Sequence, residues 1–181
     1  MGISVFLSYP LPFRQVQEEF VAAVRRYLEG RGFTPRTLGV TDWDMDAPLK
    51  AIRRMMMESN GLITIAFKRT FIERGSARPD PDIPRQETLK LDGYWMTTPW
   101  AHIEPAMAYQ VGLPSLILRE RYVFVDGLLD RGVMGLYMPE FDLDPPDPGY
   151  FNSAQWNNVL GKWEGYVRNV VERKGHPPPL F

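Results

Sequence analysis

The sequence predicts a three-layer α/β sandwich with a mainly parallel central sheet. Three observations carry this. Short apolar runs alternate with helix-period segments in the order strand, helix, strand, helix, strand, helix, strand. The clearest strand, residues 61–67 (GLITIAF), is apolar along nearly its whole length, as a strand covered on both faces should be. The connections between the periodic segments are long enough for parallel crossovers.

The first strand is residues 3–7, β-branched and aromatic, closed by Ser8-Tyr9-Pro10. Residues 14–29 then place Val16, Phe20, Ala23, Val24, Tyr27 and Leu28 at helical spacing, with Gly30 and Gly32 as stop signals. Residues 33–38 read as a second strand, which Pro35 pushes toward an edge. The segment 39–47 (GVTDWDMDA) is a polar, acidic loop. Pro48 suits the first position of the next helix, residues 48–58, with Asp46 near its cap. Leu49, Ile52, Met55 and Met56 give that helix its apolar face, and Met55-Met56-Met57 reads as core filling.

After the strand at 61–67, residues 68–98 break the rhythm. They read as a long irregular insertion of the kind used for lids or binding loops. Thr98 and Pro99 open a helix at about 99–111, which Gly112 ends. Residues 114–118 form a further strand, and 122–125 (YVFV) read as one more. Residues 126–152, rich in Gly, Pro and Asp, look irregular. A last helix at 153–173 carries Trp156, Leu160, Trp163 and Val167 on its stripe, and the tail 174–181 reads as a frayed end. This order suits a flavodoxin-like sheet, 2-1-3-4-5, built as one domain over residues 1–181.

Composition narrows the function classes. The chain has 181 residues, 21 Lys plus Arg against 22 Asp plus Glu, and a formal net charge of −1. A near-neutral chain argues against a generic nucleic-acid binder. At 44% hydrophobic and 13% aromatic it can build a core. The absence of Cys excludes disulfides, zinc–thiolate sites and thiol nucleophiles. His102 and His176 are too far apart for a metal motif. No transmembrane run and no signal-peptide pattern is present, and Phe6 breaks the myristoylation pattern, so a cytoplasmic protein without membrane contact is expected.

In sheets of this type ligands bind beyond the carboxyl ends of the strands, where the strand order reverses. That rule selects Ser8, Tyr9 and Pro10 after strand 1, Lys68 and Arg69 after strand 3, and the helix start carrying Trp100 and Glu104. Trp100 and Glu104 are four apart and share a helical face. A carboxylate beside an indole suits sugar chemistry: it can accept hydroxyl protons or steady an oxocarbenium-like centre. On the residues alone, Glu104 equally reads as a solvated side chain beside a core Trp. Ser8 and Tyr9 read either as phosphate or ribose contacts or as turn residues, and Arg69 as a diphosphate partner or an exposed charge. Asp42, Asp44 and Asp46 are oxygen ligands by type, but the Gly and terminal Glu of a calcium loop are missing, so no metal is expected. The loop reads instead as a mobile element beside the crevice. Arg25-Arg26 and Arg53-Arg54 read as solvated helix faces.

Several motifs then converge. Val5-Phe-Leu-Ser-Tyr9 resembles the opening box of Toll/interleukin-1 receptor (TIR) domains. Thr98-Pro-Trp-Ala-His-Ile-Glu-Pro-Ala-Met-Ala108 resembles their third helix, where a Trp precedes the functional Glu by four. Residues 109–118 resemble the turn and strand that follow. The pattern is also similar to nucleoside 2-deoxyribosyltransferases, a related flavodoxin-like group. The resemblance covers roughly residues 3–125. It implies Glu104 as the catalytic carboxylate and Trp100 as its neighbour. It also implies that the loop at 39–47, with Trp43, covers a nucleotide pocket and mediates contacts.

The implied reaction is cleavage of the nicotinamide–ribose bond of NAD+, with NAD+ as substrate and no cofactor. The products are nicotinamide and ADP-ribose, or a cyclised or transferred ADP-ribose. The same resemblance implies a homo-oligomer or a partner protein, and for bacterial members a role in defence against phage. The alternatives are a deoxyribosyltransferase-like enzyme, with Glu104 as nucleophile, and a non-catalytic interaction module. Pro105 departs from the pattern: the helix is expected either to start near His102 or to bend there.

Overall fold

The backbone of residues 3–8 is flanked by a strand on either side, and this sets the architecture. In the computed structural model, which describes residues 2–135 and 138–173, the elements in chain order begin with β1 (Ile3–Ser8), α1 (Gln15–Gly30) and β2 (Phe33–Arg36). Then come α2 (Pro48–Glu58), β3 (Leu62–Ala66) and four two-residue strands: β4 (Thr70–Phe71), β5 (Ser76–Ala77), β6 (Leu89–Lys90) and β7 (Trp95–Met96). The chain continues through α3 (Trp100–Gln110), β8 (Ser115–Glu120), β9 (Glu140–Phe141) and α4 (Ala154–Arg173). The expected tail at 174–181, His176 included, lies outside the described residues.

Five strands form one parallel sheet in the order β2-β1-β3-β8-β9. This is the flavodoxin-like order 2-1-3-4-5 when the sheet's strands alone are counted. The register sets Ile3 against Phe33, Ser8 against Thr64 and Leu62 against Ser115. Side chains alternate between the faces. Val5, Leu7, Ile63, Ile65, Leu116 and Leu118 pack with α1 and α4 in one apolar layer. On the other face, Phe6 and Leu62 pack with Ile52, Met55 and Met56 of α2 and Ala108 of α3. Ser8, Thr64 and Ala66 alternate onto that second face, which is how polar groups come to lie under α3.

The first layer is unusually aromatic. Phe20 of α1 stacks on Phe141 of β9 with ring centroids 4.0 Å apart. Trp156 is fully buried and meets the rings of Tyr27, Tyr150 and Phe151. Ser153 caps α4, its Oγ accepting from the Trp156 N–H at 3.1 Å. The Trp163 indole N–H donates to the Pro114 carbonyl at 3.1 Å, tying α4 to the turn before β8. Among the described residues no helix is long and apolar enough to cross a membrane.

Three expectations need correction. Residues 122–125 are not a strand of the sheet: Tyr122 takes φ 67° and turns the chain, and only an isolated bridge joins Val123 to Trp95. The fifth sheet position is filled by β9, inside the stretch that read as irregular, where the Arg121 N–H donates to the Phe141 carbonyl at 2.8 Å. Second, residues 68–98 are not structureless, because β4 pairs with β7 and β5 with β6, both antiparallel. Third, Met57 is 56% exposed, whereas Met55 and Met56 are core.

Gly61 shows how closely α4 approaches the sheet. A Cβ there would lie 2.6 Å from Val167 Cγ2 and 3.0 Å from Trp163 Cζ2. Gly61→Ala is expected to lower stability by about 1–3 kcal/mol, as overpacking does. Gly161, within α4 but facing open space, is the control: Gly161→Ala should raise stability by up to about 1 kcal/mol through helix propensity. Denaturant midpoints of the two variants against wild type check both signs.

Candidate active site

The carboxyl ends of β1 and β3 and the first turn of α3 enclose a cleft of about 350 Å³. Ser8, Tyr9, Pro10, Arg69, Trp100 and Glu104 all contribute to its lining. These are six of the eight residues selected from the sequence. The other two do not line it: Lys68 is buried elsewhere at the rim, and Trp43 is 77% exposed on the loop between β2 and α2. Leu11, Leu38, Ile52, Thr64 and Ala101 also line the cleft, and sequence reasoning had not singled them out.

Glu104 is buried, 7% exposed. Ser8, at the last position of β1, donates from Oγ to Glu104 Oε2. Burial pushes the Glu104 carboxyl up to about 7, against the opposing pull of the Ser8 hydroxyl. Trp100, one turn earlier in α3, stays 39% exposed at the cleft. The pair is therefore divided between a buried acid and a half-open aromatic wall.

The helix carrying them runs unbroken from Trp100 to Gln110 with Pro105 inside it, so it does not start near His102. Pro105 has no N–H to offer the Ala101 carbonyl one turn back. The turn is held at its start by bonds from the Ala101 N–H to the Thr98 carbonyl and from the His102 and Ile103 N–H groups to the Pro99 carbonyl, each 3.0 Å.

Arg69 donates to the Leu11 carbonyl at 3.0 Å and makes no ion pair among the described residues. Its charge at the cleft rim is uncompensated by a carboxylate. Lys68 differs: it is buried, with its ammonium 3.0 Å from Asp144 and 3.6 Å from Glu120. Arg14 pairs with the same Asp144, and together the two cations hold that carboxyl well below its ordinary range. Burial pushes the Glu120 carboxyl up, opposed by the Lys68 backbone N–H and ammonium and by the Gln17 amide. This cluster ties the segment after β1 to the ends of β3 and β8 and shapes the rim without entering the cleft. Its signal in the sequence is faint, because its members lie up to 130 positions apart.

The acidic loop is organised by ion pairs. Asp42 pairs with Arg36, Asp44 with Arg54 at 2.8 Å, and Asp46 with Lys50 at 3.0 Å. Arg54 therefore does more than coat a helix face, and Arg25 likewise donates to Thr37 Oγ1 at 2.8 Å. Asp46 does not cap α2, whose cap position is Ala47. Among the described residues no cluster of His, Asp and Glu is arranged to hold a metal ion.

No family model and no curated protein matches the chain. Among solved structures, the chain is similar to the Clostridium botulinum CMP N-glycosidase BcmB, with 14% identity and a TM-score of 0.44 over 77% of this chain and 85% of that one. It is also similar to the TIR domains of the activated Roq1 resistosome recognising the pathogen effector XopQ, with 11% identity and a TM-score of 0.41 over 94% of this chain and 84% of that one. The flavoenzyme NAD(P)H:acceptor oxidoreductase FerB of Paracoccus denitrificans follows, with 11% identity and a TM-score of 0.34 over 94% and 95%.

The raised proton affinity of Glu104 makes a stability prediction. Its folded value, about 7, lies above the ordinary value of 4.5. The folded protein therefore holds this proton more tightly, and the associated stability is full below pH 4.5 and lost as pH rises through 7. Glu104→Gln should remove that loss. Relative to wild type, the variant should gain up to roughly 3 kcal/mol between pH 5 and pH 8. Denaturant titrations across that range, taken as a difference curve, separate this from the contribution of Glu120.

Proposed function

We propose that the chain is an N-glycosidase that cleaves the nicotinamide–ribose bond of NAD+. The observation that carries this reading is the buried Glu104 carboxylate, held by Ser8 and flanked by Trp100, in a ligand-sized cleft at the sheet's carboxyl rim. The order of the Ser-Tyr box and the Trp-x-x-x-Glu helix supports it as a sequence resemblance to TIR domains.

The chemistry asks little of the protein. The bond between ribose C1′ and the pyridinium nitrogen breaks with its electron pair going to nitrogen. Nicotinamide leaves neutral, and positive charge appears on C1′ and the ring oxygen. Ionised Glu104 stabilises that charge in a site of low dielectric. Water then adds to C1′ and releases a proton, giving ADP-ribose; another nucleophile at C1′ gives a cyclised or transferred product. Trp100 walls one side of the cleft against solvent, and Arg69 offers its charge to the diphosphate. Entry of a cationic pyridinium favours the ionised acid, so substrate draws the Glu104 proton off.

A second reading, a nucleoside N-glycosidic transferase with Glu104 as nucleophile, is favoured by one observation. The cleft, at about 350 Å³, is at the small end for ligand sites and suits a single nucleoside. Incubating concentrated protein with NAD+, or with a deoxynucleoside plus a free base, and resolving products by mass separates the two.

Wild type should release nicotinamide from NAD+, and Glu104→Gln should lose at least about a hundredfold in kcat. Equal turnover by both would remove Glu104 from the mechanism. The pH profile of kcat/KM should rise through a limb near 7, set by the free enzyme, while the limb in kcat lies at lower pH. Arg69→Ala should raise KM for NAD+ about tenfold and leave cleavage of nicotinamide riboside, which lacks the diphosphate, nearly unchanged.

A further inference from the structure

One polar atom in the cleft has no partner. Thr64 sits mid-strand in β3, the single polar residue of a run otherwise made of Leu, Ile and Ala. It is 1% exposed, it lines the cleft, and its Oγ1 makes no hydrogen bond. Buried hydroxyls are nearly always satisfied, and Val would fill the same volume with a better strand preference. A hydroxyl that is buried and unpaired in a residue lining a cleft is available to bond to a molecule that enters it.

Its position says which part of a ligand it meets. Thr64 is the register partner of Ser8 on the adjacent parallel strand, and both alternate onto the face covered by α3. Ser8 Oγ is bonded to the Glu104 carboxylate. Adjacent strands are about 4.8 Å apart, so Thr64 lies one strand over from the Ser8–Glu104 pair. The walls nearby are apolar, from Leu38, Ile52 and Ala101. The cleft thus brings together two hydroxyl residues paired on adjacent strands and a carboxylate bonded to one of them. Such a set can answer the two neighbouring secondary hydroxyls of a ribose, whereas a 2-deoxyribose offers only one.

We propose that Thr64 is a substrate-binding residue that reads the sugar's hydroxyl pair with Glu104, so that the cleft selects ribonucleosides and ribonucleotides over their 2′-deoxy counterparts. This rests on the N-glycosidase reading of the cleft and sharpens its substrate class. It also weighs against a deoxynucleoside as the natural ligand, because a site built around a hydroxyl discriminates strongly against the analogue that lacks it.

The test uses wild type, Thr64→Val and Thr64→Ser with NAD+ and with NAD+ carrying 2′-deoxyribose on the nicotinamide side. Deoxyribosyl bonds are intrinsically more labile, so the quantity read is the ratio of variant to wild-type kcat/KM on each substrate. Thr64→Val should lower kcat/KM on NAD+ roughly ten- to a hundredfold and change it little on the deoxy substrate. Thr64→Ser should keep the wild-type selectivity. Thermal unfolding should show Thr64→Val at or above the wild-type Tm, since the substitution removes an unsatisfied buried hydroxyl; a structural role would give the opposite sign.

Equal effects on both substrates, or Thr64→Ser behaving like Thr64→Val, would overturn the proposal. A wild type that cleaves neither compound counts against the NAD+ reading alone. Calorimetric binding of adenosine and cytidine against their 2′-deoxy forms then decides for Thr64: a ribonucleoside preference that Thr64→Val abolishes supports it. No preference in wild type sinks it.

Discussion

The contact between Ser8 and Glu104 is the constraint on which the site depends. It joins the last residue of β1 to the second turn of α3, at the point where the sheet order reverses. Without it, the buried Glu104 carboxyl would lose its hydrogen bond from the Ser8 hydroxyl, a costly change for a group out of water. The contact also fixes where the helix stands over the sheet. Burial drives the acid toward its neutral form and the serine pulls the other way, leaving the group poised near neutrality. A carboxyl so balanced changes charge readily when a cation arrives, the property that the proposed cleavage of a pyridinium glycoside would use.

The rim around this pair is shaped by electrostatics at some distance. Asp144 is gripped from one side by Arg14 and from the other by Lys68, and Lys68 reaches back to the fully buried Glu120. Four separate stretches of chain meet there: the segment after β1, the end of β3, the end of β8 and the loop after β9. Lys68 and Glu120 are buried while Arg14 and Asp144 are partly exposed, so losing Lys68 or Glu120 costs more than losing Arg14. The Arg69 guanidinium is left outside it, anchored among the described residues by the Leu11 carbonyl.

How much of this was legible in the sequence depends on the range of the interaction. Helix and strand positions followed from periodicity, and α1, α2, α3 and α4 all lie within a residue or so of the expected bounds. Strand order followed from alternation and the crossover rule. Glu104, Ser8 and Trp100 were found because the fold class itself says where ligands bind. The failures share one cause. β9 is two residues long and exists only because β8 offers it an edge, so no local pattern announces it. Tyr122 breaks a β-prone run by a backbone turn that its side-chain type does not predict. Lys68 and Arg69 are adjacent and were selected together, yet one is buried and the other exposed, a difference set by partners more than fifty positions away. Thr64 did carry a local signal, a lone hydroxyl in an apolar strand, but its meaning required knowing that nothing bonds to it.

The loop between β2 and α2 has a consequence for the protein in concentrated solution. Its three aspartates turn toward Arg36, Arg54 and Lys50, while Trp43 and Met45 between them are 77% and 100% exposed. The charges thus hold two bulky greasy groups out in water as a rigid prow. Because those ion pairs are near the surface, added electrolyte weakens their grip while doing nothing to hide the indole and the thioether. Salt should therefore bring this loop, with other exposed apolar side chains such as Leu11, Ile83 and Tyr109, to bear on the solubility of the purified chain.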